Sequence, residues 1–175
     1  FGTIDTDILY DNMMNKFSWG GANDPKVNLD YSHQRNIAIM RARLNYTKLA
    51  KALASEGKYE KAVEVLDRCM SELPLEKIKY DSNVAEIVDA YFMSKEESKA
   101  LDLVSKMCDH YYEEIEYYLS QYDYLVRSAE YYIQSDLSIL SKAATSCNIY
   151  GKRELAETIT EKVNNYYNTY LEVTK

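Results

Sequence analysis

The sequence predicts an all-α protein built from helical hairpins, and three observations lead to that prediction. From Ser32 onward, apolar residues recur at the i, i+3, i+4 and i+7 spacing of amphipathic helices. Gly57, Pro74 and Gly151 interrupt this rhythm at points where a helix would have to end. No stretch alternates apolar and polar residues as a half-buried β-strand does.

Residues 1–31 are predicted to form an irregular segment before a single helical domain of residues 32–175. One short helix is expected near residues 7–16, and the glycine pair and Asn23-Asp24-Pro25 that follow are strong helix breakers. We interpret the segment as a structural anchor, in which aromatic rings pack on the first helix and glycines allow a turn where a Cβ would clash. A binding loop is the alternative interpretation. The candidate anchor residues are Phe17, Trp19, Gly20 and Gly21.

Six helices are expected beyond the anchor, each bounded by its own signals. Asp81 or Ser82 is suited to cap the third helix, and Ser94 with Glu97 resembles a capping box for the fourth. A turn near residues 120–123 is expected to separate the fourth helix from a long fifth one. The predicted helices span about residues 32–55, 59–73, 83–93, 95–119, 124–149 and 153–171.

Residues 43–76 carry the pattern of a tetratricopeptide repeat, in which two helices pack closely through small residues about every 34 residues. Ala50 and Ala62 occupy the small positions, and weaker copies are centred on Ala100 and Ala156. The spacing from Ala62 to Ala100 is 38 residues, and that from Ala100 to Ala156 is 56. The sequence therefore predicts a tetratricopeptide-like array of about three hairpins. The residues by which the second spacing exceeds the roughly 34-residue period are predicted to form a long, tyrosine-rich helical hairpin.

The first helices of such hairpins line a groove, and this groove is the predicted ligand site. The family's carboxylate-binding type uses basic and amide side chains there, but Asp89 would repel a carboxylate, so that specificity is not expected here. The expected ligand is a protein or a peptide. The candidate groove residues are Thr47, Lys51, Asp89, Phe92, Thr145 and Asn148.

Composition excludes several classes of function. The net charge is −7 and no basic stripe exists, so neither nucleic acid nor an anionic membrane surface is an expected partner. No apolar run approaches the roughly 20 residues of a membrane span. The three cysteines lack the spacing of a zinc site and are predicted to be buried hydrophobes. His110 and Glu114 alone make a poor metal site, and no catalytic constellation is apparent, so no cofactor and no enzymatic activity are expected.

Tyrosine is unusually abundant, with 18 residues against three Phe, and eight of them fall between Tyr111 and Tyr132. Tyr117, Tyr124 and Tyr131 recur every seven residues, which is the spacing of a helix–helix seam. We interpret the series as a seam between two helices, in which the tyrosine hydroxyls reach the solvent-exposed edge. The alternative is an exposed tyrosine surface that binds protein or sugar.

One run in the anchor segment resembles a known family. Tyr10-Asp11, Asn15-Lys16-Phe17, Trp19-Gly20 and Leu29-Asp30 resemble the run that precedes the first repeat in a family of bacterial polytopic membrane proteins of unknown function. That family is similar to membrane glycosyltransferases of the protein O-mannosyltransferase type. Residues 62–70 and 117–120 also resemble it.

The resemblance implies that this chain, which begins at Phe1, is the soluble C-terminal part of a longer membrane protein. The catalytic residues would lie in the membrane part, and none is carried over to this chain. We expect a non-catalytic interaction domain that binds protein partners or positions the acceptor. The membrane part of its own chain is one candidate partner. The expected location is the periplasmic side, with the cytoplasm as the alternative. An independent tetratricopeptide scaffold that binds a peptide is the rival interpretation.

Overall fold

The computed structural model describes residues 4–30, 39–78 and 80–175, and these residues fold as helices and connecting turns without a β-strand. The predicted all-α class is therefore confirmed. The chain divides into two compact units, Phe1–Ala100 and Leu101–Lys175, which are described separately. Whether residues 32–175 act as one domain, and whether the hairpins stack as a tetratricopeptide-like array, stay predictions.

The described residues contain eight α-helices, and a π-helical turn, Asn12–Lys16, directly continues the first one. The fifth helix begins at Glu97, within the first unit, and continues into the second. The helices are α1 (Thr6–Asp11), α2 (Ile39–Ser55), α3 (Tyr59–Glu72), α4 (Ser82–Met93), α5 (Glu97–Leu119), α6 (Asp123–Ser128), α7 (Glu130–Ile149) and α8 (Arg153–Val173).

In the first unit, α2 and α3 form a hairpin, and α4 packs against both helices. Gly57 turns the chain between α2 and α3 with a φ of 79°, a conformation that favours glycine. Ala50 and Ala62 are fully buried, as expected for small residues where two helices approach closely. Asp81 caps α4 by accepting a 2.7 Å hydrogen bond from the backbone N–H of Asn83, which confirms one of the two predicted caps.

A fully buried arginine, Arg43, fixes the connection between α3 and α4. Its Nη1 lies 3.0 Å from Asp81 Oδ2, while its Nη2 donates to the carbonyls of Leu73 and Ile78 at 3.2 and 3.1 Å. A buried cation is tolerated only when it is paired and hydrogen-bonded, and the connection supplies both kinds of partner. The sequence pattern gave no indication of this role.

In the second unit, α7 and α8 form a hairpin around Gly151, whose φ is also 79°, and α6 packs against both. Ile133, Leu140 and Ile159 are buried in this part of the core. Cys69, Cys108 and Cys147 are all free and buried, as predicted. Burial raises the pKa of the Cys108 thiol to about 11, which keeps it protonated and unreactive at neutral pH.

Two helix boundaries differ from the prediction. Ser94 ends α4 instead of capping α5, because its hydroxyl donates to the Ala90 carbonyl at 2.7 Å and Lys95 then adopts a left-handed φ of 63°. The predicted fifth helix is interrupted at Ala129, which separates α6 from α7. The N–H of Ala129 bonds to the carbonyls of Leu125 and Val126 at 2.9 and 3.1 Å, so one helix ends tightly before the next begins. Ala129 carries no breaker signal in the sequence.

Candidate functional site

The predicted groove residues of the first unit are occupied by contacts within the chain. Lys51 Nζ lies 2.6 Å from Glu86 Oε2 and 2.7 Å from Asp89 Oδ2. The Thr47 hydroxyl is buried and donates to the Arg43 carbonyl at 2.7 Å, and Phe92 is buried as well. The structure thus brings Lys51 and Asp89 together, and two carboxylates neutralise the lysine.

The other two groove candidates lie on α7 in the second unit. Thr145 and Asn148 are exposed, and the Thr145 hydroxyl donates to the carbonyl of Ser141 one turn earlier at 2.8 Å. That bond is local to the helix and leaves the surrounding face open. These residues therefore form no site by themselves.

Five tyrosines of the second unit lie on its surface, between 51% and 76% exposed, and we call them the tyrosine surface: Tyr117, Tyr122, Tyr124, Tyr131 and Tyr132. The seam interpretation is therefore wrong for Tyr117, Tyr124 and Tyr131. Tyr111, which lies seven residues before Tyr118, is buried. A spacing of seven identifies residues on one helical face but does not say whether another helix covers that face.

The rings of this region support one another. Tyr122 and Tyr124 stack at 6.2 Å between centroids with an interplanar angle of 10°. Tyr118 stacks on Tyr132 at 6.0 Å and 21°, and Tyr131 meets Tyr132 edge-on at 5.7 Å. Such contacts restrict the side chains before any partner binds, which lowers the entropic cost of association.

Negative charge is concentrated around the tyrosine surface. Residues 111–136 contain six carboxylates and one basic residue, Arg127, so this stretch carries five of the seven net negative charges of the chain. Its acidic residues are Glu113, Glu114, Glu116, Asp123, Glu130 and Asp136.

One of these carboxylates is buried. Asp136 is 7% exposed, and its Oδ2 has no hydrogen-bond partner among the described residues. Burial, together with the charge of Glu114, raises the pKa of Asp136 to about 7. A sequence signal for this residue did exist, because Asp136 falls at a core position among the buried residues Ile133, Leu137 and Leu140 of α7.

Glu114 connects the buried carboxylate with the rings. Its Oε1 accepts a 3.4 Å hydrogen bond from the Tyr118 hydroxyl, and its Oε2 lies 3.4 Å from His110 Nε2. Burial and the charges of Glu114 and Asp136 raise the pKa of Tyr118 to about 12. We call Glu114, Tyr118, Tyr132 and Asp136 the acidic aromatic cluster.

The predicted anchor segment contacts the first hairpin. Trp19 Nε1 donates to the Tyr46 hydroxyl of α2 at 2.8 Å, and the two rings lie 5.8 Å apart. Both glycines adopt a positive φ, 61° at Gly20 and 71° at Gly21, which favours glycine. The expected Cβ clash is wrong, because a Cβ would meet nothing within 4 Å at Gly20 and nothing closer than Val27 Cγ2, at 3.5 Å, at Gly21. Trp19 is partly exposed, and Phe17 is 46% exposed while it packs edge-on against Trp19, so burial is shallower than predicted. Of the first predicted helix, on which the aromatic rings were expected to pack, residues 32–38 lie outside the described residues.

We expect Tyr46→Phe to increase the iodide quenching of Trp19 fluorescence and to lower the free energy of unfolding by about 1 kcal/mol, since the indole N–H loses its acceptor. Trp19 is the only tryptophan, so steady-state fluorescence and urea melts monitored by it measure both effects. Tyr59→Phe is the control, because the ring that packs under Lys95 is kept. Equal quenching in both variants and the wild type would argue against the anchor.

The described residues include no helix both long and apolar enough to span a membrane. They also lack any group of three or more His, Cys, Asp or Glu residues arranged to hold a metal ion. In comparisons with known proteins, no family model, no curated protein and no solved structure matched this chain.

Proposed function

We propose that this chain is a non-catalytic interaction domain that binds a protein partner through the tyrosine surface. The observation that carries the proposal is the exposure of five tyrosines on one unit, each at least half accessible and in ring contact with another tyrosine. Tyrosine offers a large contact area with few rotatable bonds, and it is enriched where proteins bind one another. Exposed clusters of this kind are uncommon on surfaces that bind nothing.

The scaffold of this domain is, in our proposal, a tetratricopeptide-like array. Two hairpins, α2–α3 and α7–α8, support it, because each turns at a glycine of φ 79° and each buries small residues between its helices. In the first hairpin these residues are Ala50 and Ala62, and in the second they are Ala143 and Ala156. Repeat scaffolds of this class serve mainly to present a binding surface.

We extend the proposal to the whole protein. We infer that this chain follows a glycosyltransferase-like membrane region and lies on the periplasmic side. The run that resembles the membrane family supports this inference, since its residues contact the first hairpin: the Tyr10 hydroxyl donates to Glu64 at 2.5 Å, and Trp19 donates to Tyr46. The domain would then bind a partner or position the acceptor. Glycosyl transfer by the full-length protein, measured with and without this domain, tests the extension. Unchanged transfer would favour the independent peptide-binding scaffold.

A peptide-display selection tests the central proposal. A library of random 12-residue peptides is selected on the full chain and on a variant with Tyr122, Tyr124 and Tyr131 replaced by serine. We expect the wild type to enrich a peptide family and this variant to lose it. The control replaces three other exposed apolar residues of the second unit by serine and should keep the enrichment: Ile149, Tyr167 and Leu171. An absence of enrichment on the wild type, or an equal loss in the control, would contradict the proposal.

A further inference from the structure

We propose that the acidic aromatic cluster binds the charged end of a lysine or arginine side chain, so that the partner segment is basic. This inference rests on the proposed function and specifies the chemistry of the partner. In the cluster, Glu114 and Tyr132 are accessible at the surface, whereas Asp136 lies buried beside them. A cation that pairs with Glu114 against the ring of Tyr132 would also bring a compensating charge close to Asp136.

The charge distribution of the cluster favours a cationic ligand. Asp136 Oδ2 is buried without a hydrogen bond among the described residues, an arrangement that is unfavourable for a carboxylate that is ionised. Among the described residues, His110 Nε2 lies 3.4 Å from Glu114 Oε2, and the Glu114 side chain remains partly accessible. With a formal net charge of −5 in residues 111–136, the region attracts a cationic segment from a distance and repels an acidic one.

The exposed tyrosine rings also favour a cationic ligand. A tyrosine face attracts a lysine or guanidinium cation, and this chain already uses that contact elsewhere. Lys95 Nζ lies 4.0 Å from the centroid of the Tyr59 ring, and Lys162 Nζ lies 4.1 Å from that of Tyr112. Tyr131 and Tyr132, by contrast, present exposed ring surface in a stretch of the chain that is rich in carboxylates. A neutral sugar would stack on the same rings, but it would gain nothing from the surrounding negative charge.

The peptides enriched in the selection described above provide the first test. We expect them to be rich in lysine and arginine. If the enriched peptides are neutral or acidic, this inference fails while the proposed function stands. If the wild type enriches no peptide, both fail.

Fluorescence anisotropy with the full chain provides the second test. The probe is a labelled 12-residue peptide of alternating lysine and serine, and its counterpart alternates glutamate and serine. We expect only the basic peptide to bind, and the double variant Glu114→Gln, Asp136→Asn to weaken it at least about tenfold, because the cation loses a charged partner. Both substitutions remove charge with little change of volume, and thermal melts verify that the variant is folded.

The matched control is Glu157→Gln with Glu161→Gln, which replaces the same number of carboxylates at exposed positions on α8. We expect it to weaken binding less than about threefold, since exposed charges act only through a screened field. An equal loss in control and double variant would overturn the inference, because binding would then follow net charge and not the cluster. Displacement of the basic peptide by maltohexaose would overturn it as well, in favour of a sugar site.

Discussion

We expect replacement of Arg43 by alanine to lower the free energy of unfolding by about 3–5 kcal/mol, the cost typical of breaking a buried ion pair from one side. The guanidinium is fully buried, and its loss leaves the carbonyls of Leu73 and Ile78 without the donor that they now share. It also leaves Asp81 without its cation and opens a void the size of a long side chain. The effect should be a lower urea midpoint with an unchanged slope.

Two further variants separate the causes. Arg41→Ala changes an exposed arginine on the same helix and should alter stability by no more than about 0.5 kcal/mol. Arg43→Met keeps much of the volume but none of the donors, so a stability close to that of the wild type would assign the effect to packing. A loss below about 1 kcal/mol in Arg43→Ala would show that the connection between α3 and α4 does not depend on this residue.

We expect Asp136→Asn to stabilise the protein at pH 8 and to leave its stability nearly unchanged below about pH 4, where the carboxyl is protonated in the folded and the unfolded chain alike. Burial first, and then the charge of Glu114, raises the pKa of Asp136 from 3.8 to about 7. A shift of that size corresponds to about 4 kcal/mol at about 1.36 kcal/mol per unit. Solvent around Glu114 screens part of it, so the expected gain at pH 8 is about 1–3 kcal/mol.

The sign follows from proton binding. Between pH 4 and 7 the folded protein keeps a proton on Asp136 that the unfolded chain releases, so this group favours folding at low pH, and its contribution is lost as the pH rises through about 7. Urea melts across this range should therefore show no loss of stability from this group with rising pH in Asp136→Asn. Asp109→Asn, at an exposed position of α5, should keep the pH dependence of the wild type. A destabilised Asp136→Asn at pH 8 would mean that the carboxylate has a favourable partner in the folded state.

Local signals in the sequence were sufficient for most of the fold. Gly57 and Gly151 mark the two hairpin turns, and Asp81 marks the start of α4, because these residues act through their own backbone or the nearest N–H groups. The break at Ala129 was missed since alanine is a strong helix former and no breaker residue marks the position. Arg43 was missed for a related reason: a lone arginine in an amphipathic pattern is usually on the surface.

The candidate site was less predictable. The sequence identified the tyrosines and left open whether they form a seam or a surface, because helical spacing describes one helix and burial depends on its neighbours. The expectation that Asp89 opposes a carboxylate ligand stays a prediction. Its ion pair with Lys51 could not be predicted, because that contact requires the packing of α2 against α4. Asp136 was absent from the predicted site, although its core register was visible in the pattern of α7.

The position of Asp81 has a consequence for how the first unit opens. One carboxylate both caps α4, through the N–H of Asn83, and pairs with Arg43 of α2, so the first turn of α4 cannot unravel without weakening the arginine that fixes the preceding connection. Fluctuations of these helices are therefore coupled. Their amide hydrogens belong to one cooperative opening unit, whose exchange with solvent follows the stability of the entire unit and not the fraying of a single helix end.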